Sequence, residues 1–334
     1  MRTAIPIALL ASTPGLAQAA SPLGIFNGAG HDAQELARLV ALFGSVSIAV
    51  IVLIALLLIS SIWHRRTPDT TGGRPQRDEG GMAWIYWGVG LSTVVLVICM
   101  LFNLRTIAAT STPPDAAGAL TIQVTAHQWW WELAYQDPDS HQVFLTANEI
   151  HIPVGRKVKV LLNSADVIHS FWVPSLAGKM DVIPGQTNVT WLEADEPGTY
   201  RGECAVFCGA EHARMQFRVV AQDPKAFEAW RAHQLQEAPP PKDAATLRGR
   251  LVFESRCAAC HTVRGSSAAG MAGPDLTHLM DRGTLAAGTL PNDIGHLADW
   301  IRDPQEDKPG TTMPKVPLSE QDLAAVVAYL RTTH

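Results

Sequence analysis

The chain contains 334 residues and carries a formal net charge of -5. This length is about twice the ~150 residues of an average domain and therefore indicates about two domains. The mild charge, without a basic stripe, excludes a nucleic-acid-binding protein. Four of the five cysteines fall into two short motifs. The fifth, Cys99, lies in an apolar run and is interpreted as a packed residue, so no pair remains for a structural disulfide.

Residues 1–19 have the features of a weak secretory signal peptide. They contain Arg2, an apolar stretch, and the cleavage pattern Ala17-Gln18-Ala19. Pro6 and Pro14 interrupt the apolar stretch, so an uncleaved N-terminal segment is a close alternative. Sequencing the N-terminus of the purified protein distinguishes the two.

Two uncharged apolar stretches, about 39–63 and 82–104, follow this segment. Each exceeds the ~20 residues that a helix needs to cross a hydrocarbon core, which predicts a transmembrane hairpin over residues 33–105. The loop between the stretches is richer in arginine than either outer flank, with Arg65, Arg66, Arg74 and Arg77. Positive charge in short loops stays cytoplasmic. We therefore predict that the hairpin anchors the chain in a bacterial inner membrane and that the rest is periplasmic.

The region 106–235 has the pattern of short strands separated by turns. Leu120, Ile122 and Val124 alternate with polar residues, as half-buried strand residues do, and the same alternation recurs over 158–162. Several such strands with regular turn signals indicate an all-β sandwich or barrel. A short helix is predicted after it, from Asp223 to about Leu235.

A proline-rich segment, 236–243, separates this region from a helical one. Three consecutive prolines favour an extended, semi-rigid linker, so a second domain is predicted over 244–334. Its last helix is indicated by Ser319 and Asp322, which form a capping-box pattern before an apolar run.

The first chemical motif is Cys204-x3-Cys208-x3-His212-x2-Met215, with His169 upstream. Thiolate, imidazole and thioether are ligands that copper accepts and that magnesium or calcium does not prefer. A mononuclear blue-copper site needs only one cysteine, so the second one suggests two metal ions bridged by sulfur. A disulfide between the two cysteines is one alternative, and a zinc site is another.

Three further histidines precede this motif. His127 is ambiguous as a ligand, whereas His141 and His151 are predicted to lie on the surface. The aromatic run Trp129-Trp130-Trp131 follows His127. In a strand, alternate members face the core, so Trp130 or Trp131 is expected to be buried there.

The second chemical motif is Cys257-Ala258-Ala259-Cys260-His261. This spacing is typical of covalent attachment of a c-type haem, which in bacteria takes place outside the cytoplasm. His261 is the predicted proximal ligand. Met313, which lies before a proline, is favoured over Met271 and Met280 as the distal ligand. Ligation by His and Met raises the reduction potential.

Several segments in the same order resemble subunit II of the haem–copper cytochrome c oxidases, which carries a binuclear copper centre. They are His127–Trp131, Asp166–Phe171, Val173–Leu176, Asp181–Gly185 and Cys204–Met215. The resemblance implies a multi-domain membrane protein in which the two-helix hairpin precedes a cupredoxin-like Greek-key β-barrel. It also implies electron entry at Trp129 and a set of copper ligands made of His169, Cys204, the Val206 carbonyl, Cys208, His212 and Met215.

The chain departs from that family at two places. Val206 stands where the family has a Glu whose carboxylate reaches a magnesium ion, which leaves a magnesium site doubtful. Gly81 stands near the place of a family carboxylate before Trp84, with Asp78 and Glu79 as the nearest substitutes. The fused, all-α class I cytochrome c domain resembles the caa3-type oxidases, which tether their electron donor.

The resemblance implies a subunit of cytochrome c oxidase. Electrons from a periplasmic cytochrome c or a cytochrome bc1 complex would pass through haem c and copper to the haem of subunit I, where oxygen is reduced to water. Binding of subunit I, and of subunit III, is expected in the membrane, and proton translocation belongs to that complex. This chain alone is not expected to reduce oxygen, because it lacks intramembrane histidines for further haems.

Three alternative functions remain. A nitric oxide reductase with a similar copper domain is barely distinguishable from an oxidase by this subunit. A copper chaperone of the thioredoxin-like type usually has Pro after its second Cys, where this chain has Gly209, and needs no haem. A quinol oxidase subunit normally lacks the copper ligands found here.

Overall fold

The computed structural model describes Gly24 and residues 28–64, 81–111, 120–137 and 139–334. The predicted signal peptide, 1–19, lies outside the described residues. So do the loop arginines on which the predicted orientation depends, and the carboxylates Asp78 and Glu79.

Two long helices form the N-terminal part: α1, His31–Trp63, and α2, Gly81–Ser111. Both are long and apolar enough to cross a membrane, and most of their large apolar side chains are exposed, as lipid-facing side chains are. α1 begins at His31 rather than near residue 39. The reason is that its first two turns are polar, so hydropathy alone marks only the later, apolar part of the helix.

The N-terminal end of α1 is fixed against the domain that follows. The Ala29 amide donates to the Ser175 carbonyl at 2.7 Å, and the Gln34 side-chain amide donates to the Asp195 carboxylate at 2.7 Å. Leu36 packs against Gly178, where an added Cβ would lie 3.3 Å from its methyl group. The membrane hairpin is thus joined to the next domain by contacts as well as by the chain.

The next domain, called the β-domain here, contains ten strands. They are β1 Thr121–His127, β2 Trp130–Gln136, β3 Phe144–Ala147, β4 Glu149–Pro153, β5 Val158–Ser164, β6 His169–Trp172, β7 Met180–Val182, β8 Asn188–Leu192, β9 Gly198–Cys204 and β10 Gln216–Gln222. One sheet has the order β3-β2-β1-β5-β8 and the other β4-β10-β9-β6-β7. The pairs β1–β5 and β4–β10 are parallel and the other pairs are antiparallel. This arrangement confirms the predicted cupredoxin-like fold, which was expected as a Greek-key β-barrel and consists of two five-stranded sheets.

The core of the β-domain lies between the sheets. In β1 every second residue is buried, including Ile122 and Val124, as the alternation in the sequence predicts. The Trp131 ring meets Phe171 and Phe217 edge-on, with ring centroids 5.7 and 5.2 Å apart. Trp131 is therefore the member of the tryptophan run that packs against these two core rings and is fully buried. Helix α3, Pro224–Gln234, closes one edge of the domain.

The C-terminal domain is helical, with α4 Ala244–Arg256, α5 Ile294–Arg302, α6 Pro304–Asp307 and α7 Glu320–Leu330. Two short strands, β11 Thr284–Leu285 and β12 Leu290–Pro291, pair beside them. α4 crosses α7 at Gly249, where a Cβ would lie 1.9 Å from the Ala325 carbonyl oxygen. The Ser319 hydroxyl accepts from the Asp322 amide at the start of α7, as the capping pattern predicts.

The proline-rich segment between the two domains is packed against the C-terminal domain. The Ala238 amide donates to the Arg264 carbonyl at 3.0 Å, and Ala238 is buried. The Arg264 guanidinium in turn donates to the Gln234 carbonyl at 2.5 Å. These contacts fix the segment in place, so the two domains form a contact surface rather than two bodies separated by a free spacer.

Candidate metal centre and cofactor pocket

The β-domain brings the sulfur ligands and histidines of the first motif together at one end of the sandwich. Cys204 ends β9, His169 begins β6, and Met215 precedes β10. The two cysteine sulfurs are 3.8 Å apart. His169 Nδ1 lies 3.9 Å from the Cys204 sulfur, and His212 Nδ1 lies 3.6 Å from the Cys208 sulfur. Each sulfur therefore has an imidazole beside it.

Two further predicted ligands lie at the same sulfurs. The Met215 sulfur is 3.8 Å from the Cys208 sulfur, and the Val206 carbonyl oxygen is 3.2 Å from the Cys204 sulfur. A disulfide needs about 2.05 Å between sulfurs, so the two cysteines are not bonded in this structure. Both are buried. A buried or half-buried set of two thiols, two imidazoles, a thioether and a carbonyl fits copper.

The two thiols differ in acidity because they face each other. The pKa of Cys204 lies far below its usual value, first because Cys208 donates to its sulfur and then because His169 does. The pKa of Cys208 is raised, since its proton is held by that bond to Cys204. A thiolate is the form that binds metal, so one cysteine is already prepared for it.

Asp166 orients His169. Its carboxylate accepts from His169 Nε2 at 2.8 Å and from the Gln128 amide at 2.6 Å. Because a carboxylate accepts, Nε2 carries a proton, which leaves Nδ1, the nitrogen on the Cys204 side, as the one that would bind a metal. This is the usual support of a metal-bound histidine. No role was predicted for Asp166, although its position three residues before His169 is a usable signal.

Trp129 links the sulfur site to its surroundings. Its indole Nε1 donates to the Cys208 carbonyl at 3.1 Å, and the side chain is 8% exposed. Gly209 has a φ of +121°, and a Cβ there would lie 2.9 Å from the indole. Only glycine allows this close approach of the loop to the ring.

The other three histidines of the sequence analysis make contacts with groups other than the two cysteines. His127 stacks on Trp130 with centroids 4.5 Å apart, and His141 is exposed. The prediction that His151 lies on the surface was wrong. It is 8% exposed and stacks on Trp230 at 4.0 Å, because α3 folds back over it. The helix that buries His151 is distant in the sequence, so the residues around His151 do not predict its burial.

The C-terminal domain contains a cavity that brings the residues of the second motif together. Cys257, Cys260 and His261 line it together with Met313. Its apolar wall includes Leu276, Leu279, Leu285, Leu297 and Ile301. Met271, a competing distal ligand, is 69% exposed. An apolar cavity with two cysteines, a histidine and a methionine fits a covalently bound haem.

His261 is held in the form that a haem ligand needs. Its Nδ1 donates to the Pro274 carbonyl at 2.9 Å, so Nε2 remains as the nitrogen with a lone pair. Burial lowers the pKa of His261, which favours the neutral ring. A Cβ on Gly273 would lie 2.6 Å from His261 Cε1. The orientation of the His261 ring therefore depends on the Pro274 carbonyl and on glycine at position 273, which leaves room for the ring.

The cavity reaches the β-domain. Trp129 and Trp130 line it from that side, and an added Cβ on Gly310 would lie 3.8 Å from the Trp129 ring. The Gln305 side chain donates to the carbonyls of Thr311 at 2.9 Å and Met313 at 3.0 Å. One tryptophan thus contacts the sulfur loop and also forms part of the cofactor cavity.

Lys308 fastens the two domains beside Trp129. Its ammonium group donates to the carbonyls of Trp129, Arg214 and Ala286 at 2.8, 2.7 and 3.1 Å. Lys308 is 2% exposed, and burial lowers its pKa to about 7. No sequence pattern predicts this role of Lys308, because its partners lie in three separate segments.

Comparison with known proteins matches both domains. A family model described as cytochrome c oxidase subunit II, periplasmic domain, matches residues 138–222, and one described as cytochrome c matches residues 246–334. Cytochrome c oxidase subunit 2 of Alkalihalophilus pseudofirmus is 38% identical over 297 residues, covering 86% of this chain and 83% of that protein. The protein of that name from Bacillus sp. PS3 is 30% identical and covers 80% and 78%.

A solved structure matches about a third of this chain. The periplasmic domain of subunit II of cytochrome oxidase of Bradyrhizobium japonicum is 33% identical, covers 37% of this chain and 96% of that one, and has a TM-score of 0.33.

A helical membrane anchor, a cupredoxin-like domain with a sulfur-rich metal site and a cytochrome c domain define a membrane-anchored electron-transfer subunit. The two relatives that match most of the length of this chain identify which family of electron-transfer subunits it belongs to. The chain belongs to the cytochrome c oxidase subunit 2 family, and it is a subunit of an oxidoreductase complex that uses copper and haem.

Proposed function

We propose that electrons pass from a haem c through Trp129 to a binuclear copper centre, and from there to the haem of subunit I. Haem c would be bound covalently by Cys257 and Cys260, with His261 and Met313 as axial ligands. The copper ligands would be His169, Cys204, the Val206 carbonyl, Cys208, His212 and Met215. When bound, each centre supplies reversible one-electron chemistry, which these side chains by themselves lack.

The single observation that carries this route is the double contact of Trp129. Its indole donates to the carbonyl of Cys208 at 3.1 Å, and the same ring lines the cavity of Cys257, Cys260 and His261. Aromatic and hydrogen-bonded contact is thus continuous from the haem pocket to a copper ligand. Lys308 holds the two sides together.

The proposed setting is the bacterial inner membrane, with residues 33–105 as a two-helix anchor and both domains in the periplasm. The proposed boundaries are 106–235 for the copper domain, 236–243 for the linker and 244–334 for the haem domain, and the first residues of the copper domain, 106–111, form the end of α2. The exposed apolar side chains of α1 and α2 support contact with subunit I, and with subunit III. The donor would be a periplasmic cytochrome c or the cytochrome bc1 complex.

The reaction served by these electrons is the reduction of oxygen to water in subunit I. The name of the relatives, cytochrome c oxidase subunit 2, favours oxygen over nitric oxide as acceptor. Magnesium is left out of the proposed cofactors, because Val206 offers no carboxylate. Purified complex should consume oxygen with reduced cytochrome c, and nitric oxide consumption without oxygen consumption would overturn this choice.

Metal analysis of the intact chain in detergent tests the two centres together. We expect about two copper atoms per haem iron, in line with two bridging thiolates, and a mixed-valence copper signal in electron paramagnetic resonance. Cys208→Ser should lose that signal and keep the haem absorption bands. One copper per iron, or a disulfide between Cys204 and Cys208 in freshly prepared protein, would contradict the proposal.

A further inference from the structure

A second cluster of metal-ligating side chains lies at the seam between the two domains. His233 comes from the end of α3 in the β-domain, whereas His278 and Asp281 come from the C-terminal domain. One ligand atom from each of the three lies within 4.8 Å of the others. His233 Nε2 is 3.1 Å and His278 Nδ1 is 3.7 Å from the same oxygen of Asp281. We call these three residues the seam cluster.

The buried histidine of the seam cluster has an unused lone pair aimed into it. The His278 side chain is 2% exposed, and its Nε2 donates to the Gln236 carbonyl at 3.1 Å. The remaining nitrogen, Nδ1, is buried and has no partner at good hydrogen-bond geometry within the described part of the chain, although the His334 backbone lies near the ring. Because Nε2 donates to that carbonyl, the neutral ring leaves a lone pair on Nδ1, 3.7 Å from the Asp281 carboxylate. A cation between them would satisfy both groups.

The distances suit a tetrahedral ion. Zinc bonds of about 2.0–2.1 Å to nitrogen and oxygen place neighbouring ligand atoms about 3.3 Å apart, close to the 3.1 and 3.7 Å seen here. His334 Nδ1 lies 3.4 Å from the other oxygen of Asp281 and could add a fourth ligand. The donation from His278 Nε2 to a backbone carbonyl is also the usual support of a metal-bound histidine.

Charge and access are compatible with an ion at this place. Arg264, the nearby cation, lies 3.8 Å from the Asp275 carboxylate, so its charge is balanced there. The His233 side chain is 41% exposed, which leaves a path from solvent. Two imidazoles and one carboxylate are donors that suit zinc, whereas calcium and magnesium prefer sites made of oxygen alone.

We propose that the seam cluster binds one divalent ion of the zinc class and that this ion fastens α3 to the C-terminal domain. The ion would bridge residues 233 and 278, which belong to different domains. It would therefore hold the two domains in the arrangement in which Trp129 lines the cofactor cavity.

Zinc binding to the intact chain, loaded with copper and haem in detergent, tests this proposal. After treatment with a chelator that leaves copper in place, dialysis against zinc alone should restore one zinc per chain. His278→Gln and His233→Gln should each lose it. His296→Gln is the matched control, because His296 also contacts a carboxylate, Asp293 at 2.6 Å, but belongs to no such cluster. It should keep its zinc.

Two further measurements separate a metal ligand from a structural side chain. Zinc X-ray absorption should show nitrogen and oxygen neighbours at about 2.0–2.2 Å and no sulfur. Zinc should raise the thermal unfolding midpoint of the wild type and of His296→Gln, but not that of His233→Gln, since only a native-state ligand stabilises. Because His233 is partly exposed, this variant should fold even if His278→Gln does not. Full zinc binding by His233→Gln, or sulfur neighbours, would overturn the proposal.

Discussion

Asp166 does not touch sulfur, yet at the scale of single residues it decides how His169 points. The carboxylate accepts from His169 Nε2 at 2.8 Å. Replacing Asp166 by Ala removes this acceptor, and loss of such an outer partner typically lowers metal affinity about 10–100-fold. Copper affinity measured by competition with a chelator should fall by that factor. Asp181→Ala removes an exposed carboxylate of the same domain and should leave copper affinity unchanged.

Trp129 is the second residue whose replacement is informative. Trp129→Phe keeps an aromatic ring but removes the donor to the Cys208 carbonyl, at a cost of about 1 kcal/mol in stability. Electron transfer from haem to copper, followed after photoreduction of the haem, should become slower while the copper spectrum stays normal. Trp130→Phe, which keeps the Trp129 bond, is the control. A lost copper spectrum in Trp129→Phe would mean that the indole is structural.

The sequence predicts the chemistry of individual residues better than their surroundings. The spacing of Cys204, Cys208 and His212 identifies candidate ligands, because ligand type and loop spacing are local properties. The burial of His151 and the role of Lys308 are different, since each depends on segments far away in the chain. Those contacts follow from packing between elements, which periodicity within one element does not encode.

At the scale of elements, the crossing of α4 and α7 depends on Gly249. A Cβ at this position would lie 1.9 Å from the Ala325 carbonyl oxygen, so the helices would have to move apart. We expect Gly249→Ala to lower the free energy of unfolding by about 1–3 kcal/mol or more, as overpacking does. Gly295→Ala in α5, where the nearest atom to a Cβ is 3.4 Å away, is the control.

Denaturant unfolding followed at the haem absorption band measures both glycine variants. The Gly295→Ala midpoint should match the wild type, and the Gly249→Ala midpoint should fall. Equal midpoints for both variants would show that the helices adjust without cost.

Element types were predictable here because capping and alternation are local, as at Ser319 and in β1. The start of α1 was not, since its first turns are polar.

At the scale of the whole molecule, Lys308 makes the docked arrangement sensitive to pH. Its pKa is lowered to about 7 by burial, whereas a free lysine has a pKa near 10.4. Between these values the unfolded chain binds more protons than the folded one, so stability rises with pH. This contribution of Lys308 to the free energy of unfolding is lost as the pH falls toward 7. The gain is at most about 1.4 kcal/mol per pH unit.

Thermal unfolding of the intact chain between pH 7 and 10 checks this sign. The difference in unfolding free energy between the wild type and Lys308→Met should grow in favour of the wild type as pH rises. Lys315→Met is the control, because Lys315 forms an exposed ion pair with Asp303. A wild-type advantage that shrinks with rising pH would contradict the burial of the ammonium group.

The position of Trp129 under the C-terminal domain also determines how an outside protein can deliver its electron. The indole is 8% exposed, and the loop at Gly310 lies against it. A soluble donor would find little of this ring exposed, so we expect it to be recognised by the outer surface of the C-terminal domain. Surface residues of the C-terminal domain, which do not contact the metal centre, would then determine which donor binds. Donor specificity could change through these residues without altering that centre.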